Sequence, residues 1–162
     1  MPQFYPVIFD PAVGGIRNAT ANDVLNIATS NSSVDTFINA NVGTINKGQA
    51  VYIKSSGSVD LAKANASGTA QAVGLVFDTT IATGAVGSVI IGGPITLTTA
   101  QWDAIAGTTG GLTAGVNYFL SPTVAGSLTA TCPSTTGNYA ELVGQAASAT
   151  TLYVSARSPF AL

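Results

Sequence analysis

The sequence predicts an all-β fold: a compact β-sandwich or barrel built from two similar three-stranded units, with one short helix and an extended N-terminal arm. Three observations carry that expectation. Short runs rich in Val, Ile, Leu, Tyr and Thr recur at a spacing of roughly 8–12 residues, as in sandwiches and barrels, and Gly, Pro, Asn and Ser separate them. One order of turn and strand residues occurs twice. Lys and Arg number 5 and Asp and Glu 7 among 162 residues, and there is no histidine. Such a chain has few charges to guard open sheet edges, so closure is the natural solution.

We place a lead-in segment with its arm at 1–45 and the β-domain at 46–162. Pro2, Pro6 and Pro11 disfavour helix and favour extended chain around Phe4, Tyr5, Val7, Ile8 and Phe9. Left exposed, this apolar stretch invites aggregation, so something covers it. It is either an edge strand of its own domain or an arm that crosses to a neighbouring subunit. Asp23–Ala28 and Val34–Ile38 read as short strands or weak helical turns, and periodicity does not separate the two at this length.

From Val42 onward the strand signal sharpens. The expected strands are Ala50–Lys54, Ser58–Ala62, Ala72–Phe77, Gly87–Ile91, Ile95–Thr98, Asn117–Ser121, Ser127–Thr131, Glu141–Ala146 and Thr151–Ala156. Val51 and Ile53 fall on one side of the pleat, Tyr52 and Lys54 on the other; Leu152 and Val154 alternate likewise with Tyr153 and Ser155. Gly92-Gly93-Pro94 and Gly110-Gly111 read as turns.

One helix interrupts the strands. Thr98 is its N-cap, and Gln101 completes a capping box. Leu97 and Trp102 form a hydrophobic staple, Ile105 joins Trp102 on the buried face, and Gly107 ends the helix.

The internal repeat runs Gly48–Ile53, Gly57-Ser58-Val59, Ala72-Val73-Gly74, and again Gly115–Leu120, Gly126-Ser127-Leu128, Leu142-Val143-Gly144. Each copy is a glycine, an aromatic-containing strand, a Gly-Ser turn into a second strand, and a third strand ending Val-Gly. Each unit exposes an apolar face, and burying the two faces together gives a closed or nearly closed β-structure.

The residue inventory argues against catalysis. Without histidine there is no Ser-His or Cys-His pair. Lys47, Lys54 and Lys63 lie in turn or edge regions, outside any Ser-x-x-Lys frame. The carboxylates Asp10, Asp23, Asp35, Asp60, Asp78, Asp103 and Glu141 are scattered singly and read as turn, cap or surface residues. Zinc sites lack their ligands, no calcium loop is present, and no cofactor motif occurs. Cys132 reads as a small half-buried residue. A net charge of −2 with no basic patch gives no basis for binding nucleic acid. The start lacks the basic and apolar regions of a signal peptide, and no apolar run reaches the roughly 18–20 residues of a membrane helix.

A resemblance covers residues 46–156. Its residues are Leu97-Thr-Thr-Ala-Gln-Trp-Asp103, Gly111-Leu-Thr-Ala-Gly115, Val116-Asn-Tyr-Phe-Leu-Ser121, Gly126-Ser-Leu-Thr129, Val143-Gly-Gln-Ala146 and Thr151-Leu-Tyr-Val154. This order resembles β-domains in structural proteins of tailed bacteriophages: head decoration (cement) proteins, and also fibre and tail proteins. The resemblance implies a non-enzymatic virion component made in the host cytoplasm. Short length and a distinct N-terminal segment favour a capsid cement protein on the outer surface of the head. It would be a homotrimer bridging subunits of the major capsid protein, with Phe4, Tyr5, Val7, Ile8 and Phe9 anchoring the arm to a neighbour. The alternative is a receptor-binding module of a tail or fibre, with Trp102 or Tyr139 facing a glycan. The family supplies no catalytic residues.

Overall fold

The computed structural model describes residues 32–162 and, before them, the backbone of two strands, β1 (Val7–Asp10) and β2 (Gly15–Asn18). The chain divides into two units, Met1–Ser30 and Asn31–Leu162. In the first, β1 and β2 pair antiparallel, with Val7 opposite Asn18 and Asp10 opposite Gly15.

The second unit opens with β3 (Ser33–Asn39), β4 (Ile45–Asn46), β5 (Ala50–Ser55), β6 (Ser58–Leu61), β7 (Ala72–Val76), β8 (Thr80–Ile81) and β9 (Val86–Thr96). The helix α1 (Thr99–Ala106) follows. The remaining strands are β10 (Asn117–Leu120), β11 (Leu128–Thr129), β12 (Tyr139–Ala140), β13 (Leu142–Ala146), β14 (Thr151–Val154) and β15 (Phe160–Ala161). Among the described residues the fold is all-β with one helix, as the sequence predicts, and its centre is a closed five-stranded barrel. The barrel runs β9-β3-β6-β5-β7 and closes where β7 pairs back onto β9, Leu75 opposite Ile90. Thus β3, inside the segment assigned above to the lead-in, is a barrel strand, parallel to β6 and antiparallel to β9. The second sheet, β11-β10-β13-β14, attaches to the far half of β9, with Leu152 opposite Ile95.

Strand alternation builds two cores. Val51, Val59, Val76 and Val89 fill the barrel with Ile45 and Ile81. Their neighbours Ala50, Leu75 and Ile90 point the other way, into a larger core with Ile95, Leu97, Trp102, Tyr118, Leu120 and Leu152. Strands β5, β7 and β9 are therefore apolar on both faces, because the second sheet and the helix cover the barrel wall they form.

The repeat is structural. The hairpin β5–β6 with β7 gives the order β6-β5-β7, and β10–β11 with β13 gives β11-β10-β13. Both copies carry a bulge at the same place. Val51 faces Gly74 but Tyr52 faces Ala72; Tyr118 faces Gly144 but Phe119 faces Leu142. The extra residue is Val73 in one copy and Val143 in the other. Gly48 N–H donates to Val76 O at 2.8 Å, and its counterpart Gly115 N–H donates to Ala146 O at 2.7 Å. The Val-Gly signature has a steric cause. A Cβ on Gly74 would stand 2.1 Å from Ile90 O, and one on Gly144 would stand 2.3 Å from Tyr153 O. The fourth strand approaches the third too closely for any side chain there.

Backbone hydrogen bonds stitch the copies together. Gly126 N–H donates to Ala62 O at 2.7 Å, and Gly126 O accepts from Ala50 N–H at 2.9 Å. Ala64 N–H donates to Ser121 O, and Ala64 O accepts from Tyr139 N–H.

One expected turn is absent. Gly92-Gly93-Pro94 lies inside β9, an 11-residue strand that crosses from barrel to second sheet. Three features allow this. A bulge sits opposite Ser33/Val34, Gly93 bends the chain with a φ of 98°, and Pro94 falls where the strand changes partners, opposite Tyr153.

Candidate interaction surfaces

The sequence-predicted anchors fall in the first unit. Phe4 and Tyr5 lie outside the described residues. Val7, Ile8 and Phe9 are in β1, where their backbones face Asn18, Arg17 and Ile16.

A surface that sequence reading missed lies at one end of the barrel. Register places Ile38 opposite Val86 across β3–β9 and beside Ser58 of β6, while Ile53 of β5 faces Val59. Val42 follows in the loop after β3. These four residues are exposed by 44% (Ile38), 68% (Val86), 53% (Ile53) and 99% (Val42). Ile38 and Val86 fall on the barrel's outside, beyond the part of the wall that the second sheet covers. The sequence signal was available: alternation in β3 puts Val34, Thr36 and Ile38 on one face. What that face meets is a property of the assembled sheets.

Below this rim, buried Asn39 ties the loop to β8. Its Nδ2 donates to Gly43 O at 3.0 Å and to Ile81 O at 2.7 Å, and its Oδ1 accepts from Asn41 N–H. Lys54 pairs with Asp60 at 2.7 Å. Burial pushes the Asp60 carboxyl up, but the Lys54 and Asn41 hydrogen bonds outweigh it and hold the group below its ordinary value. Lys47 sits 5.4 Å from the Phe77 ring centroid, a cation–π distance.

Trp102 is fully buried, and its indole N–H donates to Thr150 O at 2.9 Å. The staple reading of this residue holds, and it offers no face to a ligand. Tyr139 is half-buried against the larger core. Asp103 organises the loop after the helix. It accepts from Gly111 and Gly110 N–H and from Thr108 Oγ1, and the Gly111 bond leads in lowering its pKa. Cys132, expected to be half-buried, is exposed in the irregular stretch between β11 and β12.

Glu141 departs most from expectation. Read as a turn or surface residue, it is 1% exposed. Its Oε1 accepts the Ala72 N–H at 2.8 Å, and its Oε2 has no partner. Burial pushes the carboxyl up to about 8 against the opposing Ala72 bond. The residue borders a cleft of about 400 Å3 shared with Gln71, Ala72 and residues 156–159. Gln71 is its counterpart in the first repeat, one position before Ala72 as Glu141 is before Leu142.

Among the described residues no group of His, Cys, Asp and Glu is placed to hold a metal ion, and no helix is long and apolar enough to cross a membrane. No family model and no curated protein matches this chain.

Proposed function

We propose that this chain is a virion structural protein, a cement protein that stabilises a tailed-phage head by bridging subunits of the major capsid protein. The observation that carries the reading is the apolar barrel rim of Ile38, Val42, Ile53 and Val86 on a chain with so few charges. A surface of this kind suits permanent contact. Buried apolar area contributes about 25 cal/mol per Å2. Three copies in a homotrimer would engage the shell together, so a modest contact per copy becomes tight binding. The N-terminal residues Phe4, Tyr5, Val7, Ile8 and Phe9 would anchor each copy to its neighbour. The resemblance of residues 46–156 to phage structural β-domains points the same way. The tail-fibre reading needs an exposed aromatic platform, and burial of Trp102 removes one of its two residues.

The test is co-sedimentation of the purified protein with heads that lack it, alongside sedimentation equilibrium of the protein alone. Trimeric mass and saturable binding are expected. Deleting residues 1–11 should lower both oligomer mass and head occupancy. A monomer that ignores heads and binds a cell-surface glycan would overturn the proposal.

A further inference from the structure

We propose that the open edge of β3 accepts the hairpin β1–β2 of a second copy of this chain, with β1 as the added strand. The proposal rests on the reading above that the N-terminal segment joins copies, and it names what that segment grips.

Strand β3 pairs with β9 from Ser33 to Ile38, but with β6 only at Ile38 and Asn39. The Ile38 N–H donates to Gly57 O, on the β6 side, at 2.9 Å. Strand alternation turns the backbones of Thr36 and Val34 to that same side, away from β9. Ser88, opposite Thr36, agrees with this. Its backbone serves the other flank of β9, where its O accepts from Phe77 N–H and its N–H donates to Asp78 Oδ2, each at 2.8 Å. Thr36 N–H is met by the adjacent Asp35 carboxylate, in an exposed bond that an incoming carbonyl can replace. Val34 N–H, Val34 O and Thr36 O meet no partner among the described residues. Ser33, Val34, Asp35 and Thr36 are all exposed, Val34 by 42%. An edge with free donors and acceptors and an exposed apolar side chain is a template for strand addition.

The length and chemistry of the gap select the occupant. The stretch of β3 that β6 leaves open, Val34–Phe37, has four residues. Strand β1 also has four, bounded by Pro6 and Pro11, which have no N–H to donate. It carries Val7, Ile8 and Phe9, and among the described residues its backbone pairs with β2 alone. A two-stranded hairpin is at best marginally stable in water, and a third strand is what it lacks. The 14 residues between β2 and β3 span up to about 45 Å when extended. A domain of this size has a radius of gyration of about 14 Å, so the hairpin reaches a neighbouring barrel. Hairpin-to-edge contact is head-to-tail, and such contacts close into rings. Three copies then form a trimer with every β3 edge filled.

Disulfide trapping tests this. Cys132 is the chain's one cysteine and is exposed, so the background is C132S. I8C and T36C together in that background should give covalent dimers and trimers on mild oxidation, lost on reduction. I8C with S67C, on an exposed turn after β6, should give none. V34P is the independent variant: Val34 N–H faces the open edge, so proline there spares the β3–β9 bonds. Its melting temperature should stay within a few degrees of the wild type, while self-association weakens about tenfold. Trimeric mass without the I8C–T36C bond would overturn the proposal and leave the joining role of the N-terminal segment standing, whereas monomeric mass would overturn both. An I8C–T36C bond confined to single chains would assign each hairpin to its own barrel and overturn the proposal as well.

Discussion

Burial of Glu141 makes the stability of the fold depend on pH. Its carboxyl stays protonated in the folded chain up to about pH 8, against an ordinary value of 4.5. The unfolded chain releases that proton first, so it binds fewer protons across this window and stability falls as pH rises. The stabilisation is complete below the unfolded value and is lost as pH climbs through the folded one. The slope is at most about 1.4 kcal/mol per pH unit. Asp60 and Asp103, both held low, work in the opposite direction but only in stronger acid. Urea unfolding at pH 5, 7 and 8.5 should give falling midpoints for the wild type. E141Q keeps the shape, cannot ionise, and should remove most of the fall. A wild-type midpoint independent of pH would contradict this assignment. The close glycines give a second residue-level expectation. G74A and G144A each force a methyl onto a backbone carbonyl, and each should cost about 1–3 kcal/mol or more. G68A, with open space around it, should stay within about 0.5 kcal/mol. Thermal melts of the three variants would rank them.

The same residues show what sequence can and cannot reveal. Trp102 was legible because cap, staple and helix end all lie within eleven residues, Leu97 to Gly107, and state one consistent local geometry. Glu141 was misread because the backbone N–H that meets its buried carboxyl belongs to Ala72, 69 residues away in sequence. A lone acid beside a turn carries no local mark of burial.

At the scale of elements, α1 is the clearest case of local chemistry fixing structure. Thr98 Oγ1 accepts from Gln101 N–H at 3.2 Å, and Gln101 Oε1 accepts from Thr98 N–H at 2.9 Å. T98A should cost about 1 kcal/mol, and W102A about 3–5 kcal/mol by opening a cavity in the larger core; chemical denaturation checks both. Strand β9 is the opposite case. Its Gly-Gly-Pro reads locally as a turn, yet the strand runs through because it has a different partner on each side of that point, β3 and β7 before it and β14 after it. The glycines make the bend between two sheets instead of a reversal. Strands β4, β8, β12 and β15 are two residues each, too short to leave a periodic signal.

For the whole molecule, the repeat was the most informative sequence feature, since its glycines and bulges recur at matching positions. Closure was foreseeable from the lack of edge-guarding charge. The identity of the closing pair, β7 with β9, was not, because two strands joined by a short β8 excursion show no such pairing in their residues. The barrel rim likewise exists only once β3, β5 and β9 are assembled. If that rim is a contact surface, replacing Ile38 and Val86 together by Ser should leave the melting temperature within a few degrees, because both side chains are already exposed. Occupancy on heads should drop at least tenfold, a loss of about 1.4 kcal/mol. Unchanged occupancy would move the contact elsewhere.

The proposed cement role has the protein gripping neighbouring subunits of a shell. An electron-microscopy map of purified particles tests it most directly. Density for this barrel is expected on the outer face of the head, in groups of three over the junctions between coat subunits. Density at the tail tip, or heads that carry none of the protein, would contradict it.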